Sequence, residues 1–597
     1  MSTQTNSIQG GEFLVRETPA QDIFIPEEFS EEQKMMAQAC QDFIDTEINP
    51  NVEAIDSMKH PELVPALFKK AGDLGLLGIA VPEEYGGLGM SFNTSMLIAD
   101  IIGASGSFST TYGAHTGIGT LPILYYGTEE QKHNYLPKLA TGEWAACYCL
   151  TEPDAGSDAN SGKTKAVLSA DGTHYLITGQ KMWISNAGFA DLFIVFAKIE
   201  DDKNLTAFIV EKTFGGITMN EEEKKLGIKG SSTRQVFFND CPVPVANMLS
   251  ARGNGFKIAV NILNIGRVKL GAGVLGGART VTTQCIRYSA ERKQFGVSIN
   301  TFGAIKAKLA EMATRIYATE SLCYRAGQDI EDRMGALAAQ GLSDSEAKLK
   351  AMEQFAIECA IAKVHGSEVL DYIVDQGVQI YGGMGYSADA PMEAAYRDAR
   401  ISRIYEGTNE INRMLIVDMM LRKALKGHVD LLGPARKVAA ELMEIPDFGS
   451  EEPTGFLAPE TKILMQLKKA NLLVAGAAVQ HYGTALVDEQ EALMRLADMA
   501  MEVYVLESDL LKTQRLSARL SDQENEIRDI LGTLQAHHAA EKCLSAGREV
   551  IMGLPENDEQ RMMLMGLRRF TKTPSVNLKS IRRKVAQYVL EQEKYPF

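Results

Sequence analysis

A change of texture partway along the chain restricts its fold more than any other feature. Between about residues 145 and 250, "HYLITGQKMWISNAG", "ADLFIVFAKI", "LTAFIVEK" and "TRQVFFNDCPVP" follow one another as short runs rich in β-branched and aromatic residues. Gly, Asn, Asp and Pro bound them, which is the pattern of a β domain. Apolar residues on either side recur at helical spacing instead. Ser30-Glu31-Glu32-Gln33 reads as a capping box that opens the first of these helices. With 597 residues the chain is too long for one hydrophobic core. The boundaries this predicts are a polar arm over 1–29, loose up to about Pro26, a helical domain over 30–146, the β domain over 147–252 and a second helical domain over 253–430. A Pro- and Gly-rich linker over 431–459 and a helical extension over 460–597 complete the α+β chain.

Composition narrows the function. A net charge of −16 argues against a nucleic-acid partner, because phosphate binding needs a basic surface. The opening residues lack the pattern of a signal or transit peptide. The eight cysteines form no CxxC pair, so neither a metal site nor a disulfide framework is expected, and a cytoplasmic home is the simplest. One local exception to the acidic balance is the tail, with Arg568, Arg569, Lys572, Lys579, Arg582, Arg583 and Lys584. "GAGVLG", Gly271 to Gly276, matches a dinucleotide fingerprint, but no strand precedes it and its flanks read as one long helix. Small residues on a tightly packed helix account for it better.

"RIYEGTNEINRM", residues 403–414, sets a glutamate beside a glycine in helix-rich surroundings. Glu406 is either a solvent-facing charge at a helix start or a base aimed into a cavity, with Gly407 allowing a ligand to approach. Three further stretches decide between these: "CYCLTEPDAGSDAN", "GQKMWISNAGFADLF" and "QIYGGMGYSADAPMEAAYRDARISRIYEGTNEINRM". Together with "ERKQFG" they resemble the acyl-CoA dehydrogenase family over about residues 30–428. The extension and the stretches "GAHTGIG" and "ILNIGR" resemble its very-long-chain branch.

The resemblance implies a helical N-terminal domain, a β-barrel-like middle domain, a four-helix bundle and an additional helical domain. It implies FAD, with Tyr148, Cys149, Leu150, Thr151, Trp183, Ile184 and Ser185 around the flavin ring. Arg292, Phe295, Gln379, Gly382 and Gly383 would reach the cofactor of a second subunit, hence a homodimer, and Thr408 and Glu410 complete the cofactor set. Glu406 becomes the base that removes the α-proton of a fatty acyl-CoA while hydride leaves for the flavin. Ser157, Asn264, Arg267 and Gly407 map to substrate-contacting positions. Some relatives keep their base on another helix, where this chain has Gly266. Electrons would pass to an electron-transferring flavoprotein. The alternatives are an oxidase that lets oxygen reach the flavin and, further off, an assembly scaffold that keeps the fold. Gly113, Gly117 and Gly119 are either openings in an acyl tunnel or helix-packing glycines. The basic tail is a solvated face or a peripheral membrane contact.

Overall fold

The computed structural model describes residues 8–442 and 453–597. The capping box forms as expected: Ser30 caps the Glu31–Phe43 helix, accepting the Gln33 N–H at 3.2 Å while Gln33 accepts the Ser30 N–H at 2.9 Å. The helical domain that follows ends against β1 (Ala146–Cys149). The sheet then adds β2 (Lys165–Leu168), β3 (His174–Ser185), β4 (Leu192–Ile199), β5 (Thr206–Glu211), β6 (Ile217–Met219), β7 (Thr233–Pro244) and β8 (Met248–Leu249). Their order is β6-β7-β3-β2-β4-β5-β8, with β1 parallel to β4. The four β runs of the sequence became β3, β4, β5 and β7. The remaining strands have two to four residues, too short for alternation to show.

Helical architecture returns with the glycine helix (Gly255–Glu291), followed by Gly303–Ala338, Ala356–Tyr381 and the base helix (Asn409–Leu425). The "GAGVLG" stretch lies inside the glycine helix, as its context implied. A Cβ on Gly271 would stand 2.8 Å from the Ala362 carbonyl oxygen, and one on Gly276 2.2 Å from that of Asp100. These glycines let two neighbouring helices approach backbone to backbone. The extension packs as Ala458–Tyr482, Gln490–Leu516 and Asp522–Met552, with two shorter helices after them.

Two segments differ from the sequence reading. The arm is not loose over residues 8–29: Phe13, Leu14, Ile23 and Ile25 are buried. The Gly11 N–H donates to Glu358 at 2.7 Å, Phe13 meets the Tyr504 ring at 4.9 Å, and Arg515 binds Glu28 at 2.7 Å. Four apolar side chains spread through a polar stretch carry no period, so the sequence hid them. The stretch read as a linker contains the Leu432–Glu441 helix, and its residues 443–452 lie outside the described residues.

Helix contact through bare backbone gives a contrast to measure. A Cβ on Gly103 would fall 1.7 Å from the Gly273 carbonyl oxygen, whereas one on Gly277 has 3.5 Å of clearance. Gly103→Val is expected to lower unfolding free energy by about 3 kcal/mol or more, from overpacking. Gly277→Ala should change it by less than about 1 kcal/mol. Chemical denaturation of the two variants beside the parent reads the difference.

Candidate active site

Glu406 sits between the Arg400–Arg403 turn and the base helix with φ 60°, and Gly407 follows at φ 82°. A non-glycine residue in the left-handed region is unfavourable and persists only where its surroundings fix it. Here they do. Arg267 Nε donates to the Glu406 carbonyl at 3.2 Å, and Lys363 Nζ to that of Gly407 at 2.8 Å. Asn412 Nδ2 reaches the Gly407 and Thr408 carbonyls at 2.8 and 3.1 Å. Thr408 caps the base helix by accepting the Ile411 N–H, and Glu410 is exposed. The Glu406 N–H has no partner among the described residues.

The carboxylate lies against Gly266, where a Cβ would come within 2.7 Å of Glu406 Oε2. Glycine at position 266 therefore makes room for the Glu406 carboxylate. Burial pushes the Glu406 carboxyl up to about 7, with Arg267 and Lys363 pulling the other way. Gly407 has a reason of its own besides ligand access. Its φ is left-handed, and a Cβ would crowd Asn412 Nδ2 at 3.2 Å.

Glu406 and Gly266 line a cavity of about 470 Å³ that follows the glycine helix as far as Gln284. At 1.5 Å per residue that is roughly 27 Å of wall. Gly113 and Gly117 line it with open space where a side chain would be, whereas a Cβ on Gly119 would come within 2.8 Å of the Ala146 Cβ. Lys269 also lines the cavity, without a partner among the described residues, and burial lowers its amine to about 8.

Among the residues that the resemblance ties to a flavin, Ser185 meets this cavity. The β3–β7 register slips between Lys181 and Ile184, and Trp183, at φ 59°, swings out 53% exposed. A bulge re-aims a side chain in this way. Ser185 reaches the cavity wall. Met182 N–H bonds the Thr151 carbonyl at 3.0 Å, tying the end of β1 to that bulge. Tyr148 is buried with its hydroxyl unpartnered. Cys149 and Ile184 turn into the β domain's own core, so what they offer a ring is backbone. The half-exposed Trp183, the orphaned Tyr148 hydroxyl and the Ser185 wall suit a flat, polar-edged ring such as isoalloxazine.

Arg292, Phe295, Gln379, Gly382 and Gly383 form a second group. Phe295 and Gly296 turn the hairpin of β9 (Lys293–Gln294) and β10 (Val297–Ser298), both at positive φ, and Phe295 is 94% exposed. Tyr288 stacks on Tyr381 at 3.9 Å, joining this hairpin's root to the Gly382–Gly383 turn. Arg292 lies 26 residues along the helix from Gly266, roughly 39 Å away. Ser157 is exposed in the loop after β1. Asn264 and Arg267 are buried; Arg267 donates to Asn264 Oδ1 at 2.8 Å and is the one of the two that reaches the Glu406 carbonyl.

Sequence reasoning missed Lys363, Asn412 and Lys181. Lys181 is fully buried and donates to Glu152 at 2.6 Å, to the Leu150 carbonyl at 3.2 Å and to that of Phe196 at 2.6 Å, fixing the strand end beneath the ring site. A lysine inside an apolar run, as in "ECAIAKVHG", was the one available signal for Lys363.

This fold and site define an FAD-dependent oxidoreductase of the CH–CH class. Family models match as the acyl-CoA dehydrogenase N-terminal domain over 30–143, the middle domain over 147–241, and C-terminal domains over 253–421 and 466–569. The chain belongs to the acyl-CoA dehydrogenase family. It is 44% identical over 588 residues to a probable acyl-CoA dehydrogenase of Bacillus subtilis, covering 98% of both chains. It is 37% identical to the mitochondrial very long-chain specific acyl-CoA dehydrogenase of Rattus norvegicus, over 84% of this chain and 77% of that one. Among solved structures, an acyl-CoA dehydrogenase complexed with FAD from Bacillus anthracis superimposes with a TM-score of 0.95 at 44% identity, covering 99% of this chain and 100% of that one. The protein is thus an FAD-dependent acyl-CoA dehydrogenase.

Should Glu406 act as the base, it must be ionised, and activity would rise with pH through its pKa. The expected kcat/KM profile has an acid limb near pH 7. Stability runs the opposite way. The folded pKa is raised, so the Glu406 contribution is full below its unfolded value and is lost as pH rises through about 7. Glu406→Gln should therefore lose less melting temperature than the parent between pH 5 and 8.

Proposed function

We propose that the protein dehydrogenates long-chain fatty acyl-CoA thioesters to trans-2-enoyl-CoA with Glu406 as base. The observation that carries this is the carboxylate of Glu406, buried at one end of a long apolar cavity and poised near neutrality. The thioester carbonyl would take the unpartnered Glu406 N–H, which stabilises negative charge as the α-proton departs to the carboxylate. FAD, when bound, would supply the acceptor for the hydride that leaves the β-carbon. Tyr148, Thr151, Trp183 and Ser185 would hold its ring, and the cavity's apolar wall would keep water from the reacting carbons. The open walls at Gly113 and Gly117 support a long acyl chain, as does the likeness to the very long-chain specific enzyme of rat.

Arg292, Phe295, Gln379, Gly382 and Gly383 stand far from the ring site and exposed, which favours a homodimer in which each chain completes its partner's cofactor site. Electron-transferring flavoprotein is the proposed electron acceptor. Slow reoxidation of the reduced, product-bound enzyme in air separates this from an oxidase. A cytoplasmic enzyme with peripheral contact to anionic lipid is the proposed location. Arg569, Arg582 and Lys584 pair with Glu441, Glu311 and Glu526, so the contact would rest on Arg568, Lys572, Lys579 and Arg583. Each basic residue near such a surface contributes about 1 kcal/mol.

Glu406→Gln should retain yellow FAD and acyl-CoA binding while turnover falls by about three orders of magnitude or more. Turnover within ten-fold of the parent would remove Glu406 from the reaction. Gly117→Leu should lower kcat/KM for long acyl chains by about ten-fold or more, with short chains affected by less than about three-fold. An acyl-CoA length series with both enzymes measures it.

A further inference from the structure

The base loop rests on groups that lead out of the catalytic domains. Lys363, which holds the Gly407 carbonyl, also donates to Asn409 Oδ1 at 2.6 Å. Asn409 Nδ2 donates onward to Glu368 Oε1 at 3.1 Å. Arg413 grips Glu368 with both terminal nitrogens, at 2.6 and 2.9 Å, which fixes the carboxylate in plane and in direction. Burial pushes the Glu368 carboxyl up, but Arg413 holds it below the usual range, so it stays ionised and keeps its hold on both neighbours. The third nitrogen of Arg413, Nε, donates to Asp498 Oδ1 at 2.8 Å. Asp498 belongs to the Gln490–Leu516 helix, within the separate C-terminal family region of 466–569. Its other oxygen accepts from Arg495 at 3.1 Å, and Arg495 also binds Glu549 at 2.7 Å.

We propose that Asp498 is a positioning residue for the Glu406 loop, acting through Arg413, Glu368 and the Asn409–Lys363 pair that holds the Gly407 carbonyl. This rests on the reading of Glu406 as the base. Glu406 holds a left-handed conformation with its flanking carbonyls bonded by side chains, so an Arg413 released at Nε would loosen the loop through Glu368, Asn409 and Lys363. Aspartate suits the position because it anchors Nε while both terminal nitrogens remain on Glu368. The added helices then have a task inside the reaction: they keep the carboxylate aligned with the α-proton. A misplacement of the order of 1 Å at a reacting group costs up to about a hundred-fold in rate.

The test compares full-length, FAD-loaded Asp498→Ala, Asp498→Glu and Arg495→Gln with the parent. Arg495→Gln weakens the same helix but leaves the Asp498–Arg413 bond in place. Flavin reduction is followed by stopped flow with ordinary and α-deuterated acyl-CoA, beside FAD content, substrate affinity and melting temperature. Asp498→Ala is expected to slow reduction about ten-fold and raise the α-deuterium isotope effect, with affinity within about two-fold of the parent. Asp498→Glu should recover part of the rate, and Arg495→Gln should reduce flavin at the parent rate despite a lower melting temperature. Should Asp498→Ala fail to fold, Asp498→Asn takes its place with the same expectation. Parent-like reduction and isotope effect in the Asp498 variant overturn the proposal, as does an equal slowing by Arg495→Gln. If Glu406→Gln abolishes turnover while Asp498→Ala does not slow it, the positioning role alone fails. If Glu406→Gln stays active, the reading beneath it fails too.

Discussion

A buried carboxylate in a left-handed backbone conformation is the constraint around which the rest of the molecule is arranged. Desolvation raises the Glu406 carboxyl to about 7. The same desolvation forbids water from holding its backbone, so protein groups must do it. Arg267, Lys363 and Asn412 come from three different helices and meet on three successive carbonyls. Gly266 has to be a glycine, and the glycine helix has to run close beside its neighbours, for the carboxylate to lie where it does. Close helix packing and catalytic geometry are consequently one problem in this chain.

The β domain solves a different one. It offers a wall on which a planar ring can lie, and does so by breaking its own regularity. The bulge at Trp183 turns the indole out of the sheet, while the Lys181–Glu152 pair locks the neighbouring strand end from below. A buried ion pair is weak evidence for stability. Here it serves shape: Lys181 gathers the Leu150 and Phe196 carbonyls with Glu152, three groups that would otherwise drift independently.

Much of this could be read from the sequence, for identifiable reasons. Capping at Ser30 and the long β runs are local patterns, and local patterns survive folding. The "GAGVLG" fingerprint was set aside on context, and the structure shows those glycines spent on helix contact. Glu406 was found because a family motif surrounds it. Its supports were not, since Lys363 and Asn412 matter only once the chain brings residue 363 to residue 407. The arm failed for the opposite reason: Phe13, Leu14, Ile23 and Ile25 bury themselves one or two at a time, against partners hundreds of residues away, and leave no period to detect.

That arm has a consequence for how the protein is made. Its partners include Tyr504 and Arg515, so nearly 500 residues separate the two sides of the contact. At roughly 5–20 residues per second, a ribosome needs on the order of half a minute to two minutes to make the second side after the first has emerged. Through that interval the apolar residues of the arm are solvent-exposed on a growing polypeptide, available to chaperones and to neighbouring nascent chains. The arm is thus among the last parts of the fold to find its place, since the helix that receives it is translated nearly 500 residues later.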